Sequence, residues 1–311
     1  MNTPSHAVCL DVGGTSVKSG IVGSDGVLIA STLETTPVDS AASAENILST
    51  FASSLDSGLA HARHGELPVT GIGISICGPF DYELGISKIT GLDKYESIYN
   101  VNVREELSRR LEIDEMPMLF DVDSWSFARG EVWSGAGRDY HRVIVFTMGT
   151  GVGSAFAIGR KIVDTGPGVP WYGWISGQEY QGGMLNDYIS RTYMIERYQE
   201  LTGVKTDIKD MAIRADSGDE HARGVFAEIG ETLGTFLCSH HLEEFGAECL
   251  VFGGQISNAF HLFRDSLSDA LSKIDCLKEI VPAEDIDGSA LKGVARYVFD
   301  NVSPDFEVKG S

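Results

Sequence analysis

Two glycine-rich hairpins constrain this chain more than any other feature. The first, "LDVGGTSVKSGIV" (10–22), sets Asp11, Gly13, Gly14 and Thr15 between two apolar stretches. The second, "VIVFTMGTGVGSAFAIG" (143–159), sets Gly149, Thr150, Gly151 and Gly153 between two more. Each stands near the start of a similar run of elements. In the first run "HAVCLD", "SVKSGIV" and "VLIASTLET" read as strands, with Ser24-Asp25-Gly26 turning the second into the third. A helix comes next, with Ile47, Leu48, Phe51, Leu55 and Leu59 at helical spacing and Asp39 or Ser40 as its N-cap. The buried strand "VTGIGISIC" then runs into Gly78-Pro79. From Glu115 the order begins again: the strand "MPMLF", the helix "SWSFARGEVWSG", the second hairpin, and a third strand after Arg160-Lys161. Helices around "MLNDYISRTYMIERYQEL" and from Asp219 to about Gly246 come after it, then the strand "CLVFGG" and the helices "SNAFHLFRDSLSDALSKI" and "GSALKGVARYVFD". The pattern predicts a duplicated α/β unit facing a cleft. One domain spans 1–118, joined by the C-terminal helix at about 287–302, and the other spans 119–286.

Paired glycines are ordinary turn residues, so each hairpin has a plain structural reading. They also let backbone N–H groups approach an anion, which is the design of a phosphate cradle. The second loop is not a dinucleotide fingerprint, because its spacing is G-x-G-x-G and a strand stands where that motif needs a helix. A third pair, Gly253-Gly254, ends the strand "CLVF" ahead of a helix; it suits a nucleotide's ribose or phosphates, or an ordinary strand-to-helix turn. Asp123, in "LFDVDSWSFARGE", stands where a strand gives way to a helix. A carboxylate there can accept the proton of a hydroxyl undergoing phosphoryl transfer, and Asp121, Asp123 or Ser124 can equally be an N-cap.

Charge narrows the ligand. Against 24 Lys and Arg stand 45 Asp and Glu, a net charge of −21, with no basic stripe to offset it. Such a surface repels nucleic acid and anionic membranes, while nucleotides stay accessible if backbone amides and Mg²⁺ neutralise their phosphates. The five cysteines are dispersed without a C-x-x-C pair, which predicts reduced thiols and no cysteine-built zinc site. No basic leader precedes the first strand and no apolar run spans a membrane, so the expected location is cytoplasmic. His61 and His64, and His240 with His241, have no third ligand in sight and read as solvated or core histidines.

Five stretches in order resemble the ROK family of ATP-dependent sugar kinases and related repressors, over nearly the whole chain. "DVGGTSVKSGIV" is similar to its first phosphate motif, "GIGISICGPFD" to its strand ending in a Pro-Gly or Gly-Pro turn, and "DVDSWSFARGEVWSGAG" to the catalytic aspartate segment. "VIVFTMGTGVGSAFAIGRKI" resembles the second phosphate motif and "LVFGGQIS" the adenosine motif. The resemblance implies a two-domain actin/hexokinase-like ATPase (ribonuclease H-like) fold with an interdomain cleft, ATP and Mg²⁺ as cofactors, and a homodimer. It implies Asp123 as general base toward a hexose-like sugar and Asp11 near the metal. Gly13, Gly14, Thr15, Gly149, Thr150, Gly151 and Gly153 would face the phosphates, and Gly253 and Gly254 the adenosine. Lys18 would supply local positive charge or be a solvated lysine, and Gly78 and Pro79 would lie on the sugar side.

The chain departs from the family at three places. Val122 stands where most members have an Asn beside the catalytic Asp, and Gly91 where many have a substrate-side Asn. "TGPGVPWYGWISGQEYQGGMLNDYIS" replaces the Gly-Glu-Ile-Gly-His stretch and zinc loop, with Met184 at a zinc-cysteine position, so no zinc is expected. Glu179 is the nearest acidic replacement for the sugar-binding Glu, and Trp171, Tyr172 and Trp174 would stack on a sugar or pack the loop. These losses resemble the minority of members acting on other sugars, including β-glucosides. They also leave open a non-catalytic sugar or nucleotide sensor that keeps the fold. A DNA-binding repressor is disfavoured by the acidic surface and by only ten residues ahead of Asp11.

Overall fold

The computed structural model describes residues 4–113 and 115–302. The chain forms two compact units, one running through Trp133 and resuming at Asp287, the other being Ser134–Ile286.

In the first unit the Gly-rich turn joins β1 (His6–Val12) to β2 (Ser16–Gly23), antiparallel along their whole length. Alternate residues of β1 face opposite ways, as strand geometry requires. Val8, Leu10 and Val12 pack with Ile47, Leu48, Phe51, Leu55 and Leu59 of helix α1 (Ala44–His64). Ala7 and Cys9 pack against the C-terminal helix. β3 (Glu34–Pro37) pairs with the start of β2, so the expected strand "VLIASTLET" is displaced. The Thr32 hydroxyl accepts the Ile21 N–H at 2.9 Å and donates to the Ile29 carbonyl at 2.7 Å. It thereby takes up a bond that a longer strand would have supplied, and Ala30–Thr32 becomes a 3₁₀ turn. The α1 cap is Ser43, whose side chain accepts the Asn46 N–H at 3.4 Å; Asp39 instead closes its own turn onto the Ala41 N–H at 2.9 Å.

β4 (Val69–Ile76) lies parallel to β1, the short pair β5 (Phe80–Asp81) and β6 (Ile86–Ser87) comes next, and α2 (Val103–Leu111) leads to β7 (Met118–Val122), parallel to β4. The sheet order is β3-β2-β1-β4-β7. Because β7 completes this sheet, the division falls after α3 (Asp123–Ser134) begins its packing on the C-terminal helix, and not at the expected 118/119.

The second unit repeats the plan. β8 (Arg142–Met148), β9 (Val152–Ile158) and β10 (Lys161–Val163) are antiparallel neighbours. The pair β11 (Glu179–Tyr180) and β12 (Gly183–Met184) precedes α4 (Asn186–Ile189) and α5 (Arg191–Thr202), which Ser190 separates where a single helix is expected. Next come α6 (Ile208–Asp216), α7 (Glu220–His240) and α8 (Leu242–Phe245), then β13 (Cys249–Gly253), α9 (Phe260–Ala270) and β14 (Glu279–Pro282). The order β10-β9-β8-β13-β14, with β8, β13 and β14 parallel, matches the first sheet strand for strand. Its core is aromatic: Phe146 and Phe252 stack with centroids 5.1 Å apart, and both are wholly buried. Burial of such side chains contributes roughly 1.5–3 kcal/mol each. Finally α10 (Ser289–Asn301) returns to the first unit. Among the described residues no helix is long and apolar enough to cross a membrane.

Candidate functional site

The polar chemistry of the first unit gathers at the carboxyl ends of β1, β4 and β7, where α/β sheets commonly bind ligands. Register aligns Asp11 with Ser75, and Ser75 with Asp121. The Ser75 hydroxyl donates to Asp11 Oδ1 at 2.8 Å. Lys18 pairs with Asp11 across the hairpin, and its Nζ lies 2.8 Å from Asp287 Oδ1. Burial pushes the Asp11 carboxyl up to about 6; the Ser75 hydroxyl and Lys18 oppose that rise, and the charge of Asp123 adds to it. Asp121 is committed within the unit: Oδ2 accepts from Ser126 Oγ at 3.1 Å and faces Arg129 Nε at 3.3 Å.

Asp123 is the first residue of α3, immediately beyond β7. Its Oδ1 accepts the Ser124 N–H at 2.7 Å, one residue on, whereas an N-cap side chain reaches the second or third N–H. Burial raises its pKa, against the Ser124 N–H and the Lys94 ammonium, which both favour the carboxylate. Two sequence-expected carboxylates, Asp11 and Asp123, are thus brought within electrostatic reach of each other. Val122, the last residue of β7 and paired in register with Ile76, has no polar side-chain atom to offer.

The two hairpin loops, 13–15 and 149–151, have the same length and close differently. Gly13-Gly14-Thr15 closes with the Gly13 N–H on the Ser16 carbonyl at 3.0 Å, and Gly149-Thr150-Gly151 with the Gly149 N–H on the Gly151 carbonyl at 2.9 Å. Gly14, Gly149 and Gly151 do not have positive φ. A Cβ on Gly14 would meet nothing within 4 Å, on Gly149 only the Gly151 carbonyl at 3.9 Å, and on Gly151 only Asn186 Oδ1 at 3.5 Å. Neither backbone conformation nor internal packing requires glycine at these three positions. Their faces are open to the close approach of an external group, which a phosphate cradle needs and a plain turn does not. Gly13 differs, since a Cβ there would lie 2.8 Å from the Ser16 carbonyl.

Gly254 is also fixed by the fold: its φ is +80°, and a Cβ would lie 2.4 Å from the Met148 carbonyl. The third glycine pair therefore backs directly onto the strand that leads into the second hairpin. A 3₁₀ turn, Gln255–Ala259, succeeds the pair and α9 starts only at Phe260, so the expected helix N-terminus is not at Gly253-Gly254. In the sheet, Gly153 and Gly253 flank Thr147 in register. Thr147 precedes its loop by the same two residues as Asp11 precedes Gly13, a correspondence that sequence reasoning missed.

Gly78 and Pro79, joined by a cis peptide bond, lie just past β4 beside Ser75 and Cys77. Ser75, inside the stretch "GIGISICGPFD", belongs to this group, and so does Tyr95, outside every quoted stretch, whose hydroxyl donates to the Gly13 carbonyl. In the second unit Glu179 lies exposed on β11, opposite Met184. Trp171 is 76% exposed and Trp174 50%, so neither is plain core packing; the Trp171 and Tyr172 rings lie 5.4 Å apart. Among the described residues no three metal-ligating side chains converge. A divalent ion beside Asp11 would draw its other ligands from phosphate oxygens and water, the usual habit of Mg²⁺.

The model of the ROK family matches residues 7–300. A glucokinase of Thermotoga maritima is 23% identical over 320 residues, covering 94% of this chain and 97% of its own. Among solved structures, a ROK hexokinase from Thermus thermophilus superposes with a TM-score of 0.76 at 17% identity, covering 95% of this chain and 100% of that one. A ROK family glucokinase from Streptomyces griseus, in complex with glucose and AMPPNP, gives 0.75 at 20% identity over 96% of this chain and 100% of that one.

Proposed function

The chain belongs to the ROK family and has the actin/hexokinase-like ATPase fold, and we propose that it is an ATP-dependent sugar kinase. It transfers the γ-phosphate to a hydroxyl of a hexose-like sugar or glycoside, with Asp123 as general base. The observation that carries this reading is the Asp123 carboxylate: partly buried at the end of a parallel strand, raised in pKa, and not spent on capping its helix. A base whose pKa is raised toward the working pH is better matched to taking a hydroxyl proton.

Phosphoryl transfer otherwise asks the protein for positioning and charge. The open faces of Gly14, Gly149 and Gly151 support phosphates as the ligand of each hairpin, and Gly253-Gly254 the adenosine beside the second. Asp11, held by Ser75, is the residue that would face Mg²⁺, which supplies charge neutralisation to the phosphates. Lys18, paired with Asp287 just ahead of α10, would supply local positive charge beside the first hairpin. The nucleotide analogue bound by the Streptomyces griseus relative supports ATP here.

The test is ADP release from Mg·ATP across hexoses, N-acetylhexosamines and β-glucosides, beside Asp123→Asn. Sugar-dependent ADP that falls by about 100-fold or more in the variant is expected, the usual scale of a lost general base. ATP binding with no sugar-dependent turnover by the native protein would replace the kinase with a sensor.

A further inference from the structure

The loop after β6 is built onto the first hairpin. Asp93 and Tyr95 both adopt left-handed φ, +54° and +58°, although neither is glycine. Such conformations cost free energy and persist only where the surroundings impose them. At Tyr95 three contacts do so. The side chain is wholly buried, with its ring centroid 5.9 Å from that of Phe51. Its N–H donates to the Ser40 carbonyl at 2.7 Å, and its hydroxyl donates to the Gly13 carbonyl. Ser97, two residues on, ties the same loop to the Ala42 carbonyl at 2.7 Å. The segment 38–42 is in turn bound to the hairpin, through the Val38 N–H on the Thr15 carbonyl at 3.0 Å. Hydrogen bonds therefore run from the hairpin to 38–42, from there to the Tyr95 backbone, and from the Tyr95 hydroxyl back to the hairpin.

This arrangement treats the acceptors and the donors of the hairpin loop differently. Three of the four carbonyls of residues 13–16 are engaged: that of Gly13 by Tyr95, that of Thr15 by Val38, and that of Ser16 by the Gly13 N–H. The Gly14 and Thr15 N–H groups have no hydrogen-bond partner among the described residues. A Cβ on Gly14 would meet nothing within 4 Å, so the loop is open at this donor. Free N–H groups beside carbonyls engaged elsewhere are what an anion requires of a backbone loop, since an unengaged carbonyl aimed at the anion would repel it. At the second hairpin the side-chain anchor works the other way, Asn186 Oδ1 accepting the Val152 N–H at 3.2 Å. Burial pushes the Tyr95 hydroxyl's pKa upward, so it keeps the proton it donates.

We propose that Tyr95 is the positioning residue of the first hairpin: by holding the Gly13 carbonyl, it keeps the Gly14 and Thr15 N–H groups free to receive phosphate. The inference rests on the reading of this hairpin as a phosphate cradle, whichever sugar is the acceptor.

The test is equilibrium binding of Mg·ATP and of adenosine, by calorimetry, to the native chain and to Tyr95→Phe, which keeps the ring and removes the donor. Affinity for Mg·ATP falls about fivefold or more in the variant, the scale of one lost hydrogen bond. Affinity for adenosine stays within about twofold, because adenosine brings no phosphate to the hairpin. In steady-state kinetics KM for ATP rises by a like factor while kcat holds within about threefold.

A selective loss of ATP affinity in a chain that turns over no sugar sustains the positioning role and overturns the kinase. An equal loss for ATP and adenosine, or no loss for either, overturns the positioning role. A native chain that binds ATP no more tightly than adenosine overturns the cradle and the proposal with it. Should Tyr95→Phe not fold, Tyr95→Met gives the same comparison with a flexible apolar side chain and no donor.

Discussion

At the scale of single residues, the site places carboxylates where ionising them is costly. Asp11 shows this most clearly. In the unfolded chain it ionises near the ordinary value of 3.8, and in the fold near 6, because burial outweighs the Ser75 hydroxyl and Lys18. The folded state then binds the proton more tightly, so stability falls as pH rises through the window between these values and stays lower above it. Asp11→Asn removes the charge and keeps an oxygen for Ser75. It is expected to stabilise the protein by up to about 3 kcal/mol at pH 8 and by little at pH 4, while impairing Mg·ATP-dependent turnover. Thermal melts of the two proteins at the two pH values check this, and a destabilised variant at pH 8 would contradict it. The residue scale is also where the sequence was least legible. Asp123 and the glycines stand in recognisable strings, but Tyr95 owes its place to left-handed backbone that glycine or asparagine usually signals and tyrosine does not.

At the scale of elements, glycines divide into those the fold needs and those it leaves open. A Cβ on Gly293 would lie 1.6 Å from the Ser126 carbonyl, and one on Gly130 2.0 Å from the Ser289 carbonyl, so α3 and α10 approach to backbone contact at both points. The Ser289 hydroxyl, bonded to buried Glu131, ties the same two helices together. Gly293→Ala must push the helices apart and is expected to cost about 3 kcal/mol or more, the upper end of overpacking effects. Gly14→Ala meets no atom and is expected to leave the melting temperature within about 2 °C while raising KM for ATP by about tenfold or more. Denaturation and ATP-dependent kinetics on the two variants decide the matter; equal loss of stability in both would remove the case for the cradle. Strands that are continuous buried runs, such as β1, β4, β8 and β13, were legible because short apolar stretches bounded by turn residues mark them. β3 was not: "ETTP" is a polar edge strand, and the apolar run before it is diverted by the Thr32 hydroxyl.

At the scale of the whole molecule, the same strand order appears twice, each sheet opening on a hairpin whose loop has a polar residue two positions before it. That repetition was legible from the two glycine motifs and from the order of elements around them. The unit boundary was misplaced because periodicity marks where β7 lies and not which sheet it joins; pairing with β4 decides that. The sugar-facing side was legible only as departures, Val122 and Gly91 among them, since side chains that are missing specify no ligand. Central to the proposed reaction is Asp123, taking a proton from a sugar hydroxyl as phosphate arrives. The most direct test of that role traces the γ-phosphoryl group itself, with isotopically labelled ATP, Mg²⁺ and a sugar that supports ADP release. Label should appear on the sugar with the native protein and at least about 100-fold more slowly with Asp123→Asn, although that variant still binds ATP. Transfer by Asp123→Asn at the native rate would contradict Asp123 as the base.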